Sequence, residues 1–344
     1  MAYRDRTARL ALVATAALVS LAALGACGGS AAPRPVPSRT AAEPQTAPPP
    51  TTPPNGIVVP VGDTPEGVVI DDALDAAVVA LRRPDSVALV GLGGTHALRR
   101  IATPGRARHL RLAAPDGPLL LPGEDVNTVF EIALPTGTVT ARYPTGHQPH
   151  DAVEVGGHVW VTDELAGRVS ILGGAGSAKS LPAGLQPGGL DTAAGRVAVA
   201  DVRGNALYVF DVKTQRQVAV LPAGAGPTHV ERVGPTTVAV ADTRGGAILL
   251  YDLSGHPRQL FRLPLPGGPY GLAADPTHHR LWVALSGRNE LLRLDVEGTR
   301  LRESSVRYAT VQQPNSVAVS AKTGALVVAG ATAKGTLQLL NPGS

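Results

Sequence analysis

The chain has 344 residues, 44% of them hydrophobic and 3% aromatic, with 31 basic against 27 acidic side chains and a formal net charge of +4. So small an imbalance, with no basic run interleaved with aromatics, lacks the electrostatic footprint of a nucleic-acid binder. A single cysteine, Cys27, rules out an intramolecular disulfide and any cysteine-based zinc site.

The first segment reads as an address. Arg4, Arg6 and Arg9 precede an almost wholly apolar run over 10–26 that closes on small residues, which are the three regions of a secretory signal. An uncleaved anchor is the competing reading, since such a run can just span a bilayer. Leu24-Gly25-Ala26-Cys27 resembles the lipobox of bacterial lipoproteins, and the resemblance implies cleavage before Cys27 and acylation of its thiol. The protein would then sit outside the cytoplasm, lipid-anchored to the outer face of the cell membrane. Residues 27–54 follow as a proline-rich stretch without apolar periodicity, which predicts a disordered tether free of contacts.

From residue 55 to the C-terminus a repeat of about 40 residues fills the chain. Its copies open at Pro65, Ala107, Pro149, Pro187, Pro227, Pro269 and Pro314. Within a copy, short runs of alternating or continuous apolar residues are split by Gly, Asn, Asp and Pro turns. The fourth copy predicts strands over 188–192, 195–200, 206–211 and 216–221. Four strands per repeat of this length define a propeller blade, and seven openings predict an all-β, seven-bladed β-propeller. The last copy holds only three strands. Because residues 55–69 match 216–230, residues 56–61 are expected to supply the missing outer strand beside 335–340, closing the ring from the N-terminus.

The segments Val159-Trp160-Val161-Thr162-Asp163, Val197-Ala198-Val199-Ala200-Asp201 and Val238-Ala239-Val240-Ala241-Asp242, each followed by a turn, resemble YVTN-type propeller repeats. Residues 148–169 are similar to the streptogramin-lyase and lactonase propellers, over one blade only.

In a propeller the opening of each inner strand and the end of the second strand share one face. The openings place Glu66, Arg108, His109, His150, Asp151, Thr228, His229, Tyr270 and Asn315 there, and the second-strand ends add Asp163, Asp201 and Asp242. We rank His150, Asp151 and His229 first as ligand-binding residues, then Glu66, His109, Asp163 and Tyr270. Asp201 and Asp242 are expected to cap their own turns. No hydrolase elbow, phosphate loop, dinucleotide fingerprint or zincin motif is present, so no catalytic or metal-ligating residue is assigned. The leading reading is a monomeric, non-catalytic envelope propeller that binds a protein, peptide or envelope ligand on its axial face, with no cofactor and no nucleic acid. The alternative is a metal-dependent lactonase or lyase, which would bring a divalent ion such as Ca or Mg to histidines and carboxylates at the axis.

Overall fold

A computed structural model describes residues 37, 38, 40–62, 64–115, 117–173 and 178–341. The lipobox and Cys27 lie outside the described residues. Among those described, no helix is long and apolar enough to cross a membrane.

The strands assemble into seven four-stranded antiparallel sheets, one per repeat. In the fourth blade they are Pro187–Ala193, Arg196–Asp201, Ala206–Asp211 and Arg216–Pro222, within a residue or two of the predicted bounds. The period-two pattern of the second strands has a direct packing cause. Val197 and Val199 face the third blade and pack with its Trp160 and with Phe210 of their own blade, whereas Ala198 and Ala200 face the fifth and meet Val238 and Val240. Ala239 and Ala241 then face the sixth blade with Leu281 and Val283. The fourth–fifth and fifth–sixth interfaces thus set the small residues of one blade against the branched residues of the next, whereas Trp160 and Phe210 supply the bulk between the third and fourth.

The ring closes as expected. Ile57–Pro60 pairs antiparallel with the strand Thr336–Leu340, Ile57 opposite Leu339 and Pro60 opposite Thr336, completing the sheet that contains Leu326–Gly330 and Pro314–Val319. With that strand in place no blade is left one strand short.

Residues 28–54, expected to be a contact-free tether, depart from that expectation in the part described. Residues 38 and 40–48 lie as a strap on the face where the inner strands open. Ala42 and Ala47 are buried there, at 6% and 4% exposure. The sequence lacked a hydrophobic signal because the strap docks through its backbone, with propeller side chains supplying the partners. Proline lowers the cost of ordering such a segment by restricting its unfolded conformations.

Candidate functional site

The inner strands share a local irregularity that builds the site. Register shifts immediately after the opening proline in six blades, between Pro65 and Val68, Pro149 and Ala152, Pro187 and Leu190, Pro227 and Val230, Pro269 and Leu272, and Pro314 and Ser316. Proline is suited to this position because it has no N–H to offer a ladder. A bulge of this kind re-aims the residues it contains, and those residues are Glu66-Gly67, His150-Asp151, Gly188-Gly189, Thr228-His229, Tyr270-Gly271 and Asn315. The second blade departs, with an inner strand of only Arg111–Leu112, so that Arg108 and His109 sit in irregular chain.

Glycine is needed within this pattern. A Cβ on Gly189 would lie 2.8 Å from the carbonyl oxygen of Thr228, and one on Gly271 would lie 2.8 Å from that of Asn315. Neighbouring inner strands approach too closely there for any side chain.

Four rings form an arc across the axis. His150 and His109 have centroids 4.7 Å apart, His109 and His229 are 4.9 Å apart, and Tyr270 meets His229 edge-on at 4.4 Å. These rings come from blades three, two, five and six. Burial, followed by the neighbouring histidines, pushes the imidazoles of His109 and His229 well below their ordinary pKa. His229 Nδ1 is buried with no hydrogen-bond partner among the described residues.

Outside the arc lies a charge network. Arg82 bridges Glu66 and Glu124 at 3.1 Å each, Arg108 Nε lies 3.6 Å from Glu124, and His150 Nδ1 lies 3.0 Å from Glu164. Burial raises the Glu66 carboxyl above its usual range despite Arg82 and Arg108. At Glu164 burial pushes the same way, but the hydrogen bond and charge of His150 and the Gln186 amide hold the carboxyl down at about 2. Glu124, His150 and Glu164 offer one ligand atom each within 4.8 Å of one another. The side chain of Glu124 is buried, and its Oε1 accepts no hydrogen bond among the described residues.

Beyond the arc is a cavity of about 220 Å³ lined by the inner strands, including His109, Arg111, Asp151, His229 and Glu231. Asp151 and Glu231 of its lining, with Asp191 beside them, latch blade to blade. Asp151 accepts from Leu190 N at 3.1 Å, Asp191 from Arg232 N at 2.7 Å, and Glu231 from Ala274 N at 2.9 Å. Arg111 lies among them, 3.4 Å from Asp191 and 4.0 Å from Asp151, and donates to Leu190 O. Burial and the adjacent Asp191 raise the Glu231 carboxyl well above its usual range.

The structure therefore brings His109, His150, His229 and Tyr270 together, with Glu66 at the edge of the charge network and Asp151 beneath the arc as a latch. It does not bring Asp163 to them. That carboxylate takes Ser170 Oγ at 2.6 Å and the backbone of Gly146, and its burial raises it to about 6. Asp201 and Asp242 cap as expected. The first accepts from the N–H groups of Leu185, Gln186 and Gly204, the second from those of Ala225, Gly226 and Gly245.

Arg82, Glu124 and Glu164 were missed from the sequence ranking, although a positional signal for them exists. The backbone N–H of the residue after the second strand bonds the residue before the blade opening, as for Glu124 to Arg106, Glu164 to Gln148 and Thr243 to Gly226. Arg82 ends the second strand of the first blade at the matching register. Aligning the copies one residue past the position held by Asp163, Asp201 and Asp242, which is Leu81 in the first blade and Gly123 in the second, would have collected all three.

No protein-family model and no curated protein sequence matches the chain. Solved structures do. A streptogramin B lyase structure superposes with a TM-score of 0.66 at 14% identity, covering 83% of this chain and 95% of that one. Virginiamycin B lyase from Staphylococcus aureus gives 0.67 at 15% identity over 82% and 98%. A chain of the mitotic checkpoint complex gives 0.70 at 14% identity over 88% and 99%. At these identities the likeness establishes the fold, a seven-bladed β-propeller, and nothing finer.

Proposed function

We propose that the chain is an exported lipoprotein, anchored through Cys27 to the outer face of the cell membrane, whose propeller binds a protein or peptide ligand at its axial mouth without transforming it. The observation that carries this reading is the charge matching at the mouth. Each of Glu66, Glu124 and Glu164 faces Arg82, Arg108 or His150. General acid–base work calls for a group whose pKa lies near the operating pH. Glu164 is held at about 2 and the imidazoles of His109 and His229 are pushed well down, so these groups suit hydrogen bonding to a ligand better than proton transfer. The likeness to a chain of the mitotic checkpoint complex, an assembly, fits a partner-binding propeller.

The test is capture from envelope extracts by the parent and by a His150→Ala/His229→Ala variant of unchanged melting temperature. A partner retained by the parent and lost by the variant supports the reading. Equal capture moves binding away from the mouth.

A second reading has its own observation. One imidazole nitrogen and two carboxylates at the spacing of Glu124, His150 and Glu164 suit a divalent cation in number and chemistry, as a metal-dependent lyase or lactonase would require. The two arginines on Glu124 oppose it, since an ion would have to displace their pairing. Metal analysis of the purified protein decides: a stoichiometric ion in the parent that is lost from His150→Ala favours this reading.

A further inference from the structure

The strap is held almost entirely through its main chain. Arg244 Nη2 donates to Thr40 O at 3.0 Å and Ala41 O at 2.7 Å. Gln45 N donates to Ser286 Oγ at 3.0 Å, while Gln45 O accepts from Gln313 Nε2 at 2.9 Å. Ala47 N donates to Gln313 Oε1 at 3.0 Å, and Pro48 O accepts from Asn289 Nδ2 at 2.8 Å. At its start, Ser38 N donates to Arg203 O at 2.6 Å. The strap thus crosses blades four to seven.

The propeller surface is shaped for it. A Cβ on Gly226 would sit 2.7 Å from Ala42 Cβ, and one on Gly287 would sit 2.5 Å from Gln45 Oε1. Ala41, Ala42 and Glu43 line one recess with Arg108, His150, Glu164 and Tyr270, so the strap reaches the ring arc itself.

We propose that this face is a binding groove for extended, alanine- and proline-rich peptide, and that residues 40–48 are its resident occupant, which a partner segment of the same chemistry must displace. This deepens the reading of an axial ligand by naming its class. Main-chain recognition with two small buried side chains five residues apart selects for extended backbone and small residues over a defined sequence. Pro44 and Pro48 have no main-chain N–H, so docking leaves no donor unpaired at either position. The strap is also tied at its far end, where Asn55 exchanges hydrogen bonds with Ala309. Its docking is therefore intramolecular, at an effective concentration in the millimolar range.

The probe is a fluorescent synthetic peptide of residues 37–49, titrated against the full chain and against an Ala42→Arg/Ala47→Arg variant in which the resident strap cannot seat. Thermal melting verifies that both are folded. The expected result is saturable binding to the variant, at least about tenfold weaker binding to the parent, and loss of binding when Arg244→Ala is added to the variant. No saturable binding to the variant up to about 1 mM overturns the peptide chemistry. In that case the axial-face reading still stands or falls on the His150/His229 capture experiment. Equal affinity for parent and variant overturns competition by the strap.

Discussion

His109 and His229 meet across the propeller axis with ring centroids 4.9 Å apart and planes tilted by 36°, although they come from the second and fifth blades. Both are held neutral by burial and by their histidine neighbours, and this ties stability to pH. A histidine whose folded pKa is depressed contributes stability that is complete above its unfolded value, near 6.5, and is lost as pH falls below it. Each should cost about 1.4 kcal/mol per pH unit in the acid range. Urea unfolding between pH 7 and 5 should show this fall in the parent and a flatter profile in His109→Asn/His229→Asn. An unchanged slope would show that the pair titrates normally.

Asp163 acts in the opposite sense. Its carboxyl rises from 3.8 to about 6 on folding, so its contribution is present below 3.8 and lost as pH rises through 6. Between these values it offsets part of the histidine effect. Asp163→Asn should therefore steepen the acid limb of the same unfolding profile, and a shallower limb would contradict the sign.

The capping aspartates hold each blade's opening to its own second strand. Asp201→Ala leaves the N–H groups of Leu185, Gln186 and Gly204 without their acceptor. The expected loss is about 3 kcal/mol, read as a lower denaturation midpoint, with Asp242→Ala behaving alike. Asp201→Asn, which keeps one acceptor oxygen, should lose less.

Closure of the ring by Ile57–Pro60 gives a sharper test. Deleting residues 55–62 strips the seventh blade of its outer strand and removes Val61, which is fully buried. The variant should aggregate or melt far below the parent. A soluble deletion variant with parental melting would refute closure by this segment.

The anchor is open to fractionation. Cys27→Ala should move the protein from membranes to the soluble fraction, because attachment in this reading depends on the acylated thiol. A variant that stays membrane-bound and uncleaved would overturn the lipobox assignment.

The architecture was legible in the chain because a repeated unit displays its period, and the match of residues 55–69 to 216–230 located the closing strand. The site was legible in part. His109, His150, His229 and Tyr270 are side chains beside recurrent openings, and counting from the openings finds them. Asp163 sits at the same recurrent position as the capping Asp201 and Asp242 and, like them, packs against the glycine ahead of its own blade opening, so the repeat itself pointed it away from the arc. Arg82, Glu124 and Glu164 differ in residue type from their counterparts Val202 and Thr243, so type-based searching passed over them. The strap was hidden for another reason: its partners are Arg244, Ser286, Asn289 and Gln313, more than 200 residues away, and its own side chains carry little of the contact.

The pairing of Ile57 with Leu339 and of Pro60 with Thr336 also orders events in time. The closing strand is made before any of blades one to six and its partner after all of them, so the seventh blade cannot be completed until the other six have been synthesised. Blades one to six can form from contiguous sequence, whereas the last must wait for a segment carried along unpaired. Contacts so distant in sequence slow folding, because loop-closure entropy is lost before the contact is gained. A chain threaded across a membrane from its N-terminus would thus arrive with its ring still open, and would first close it on the far side.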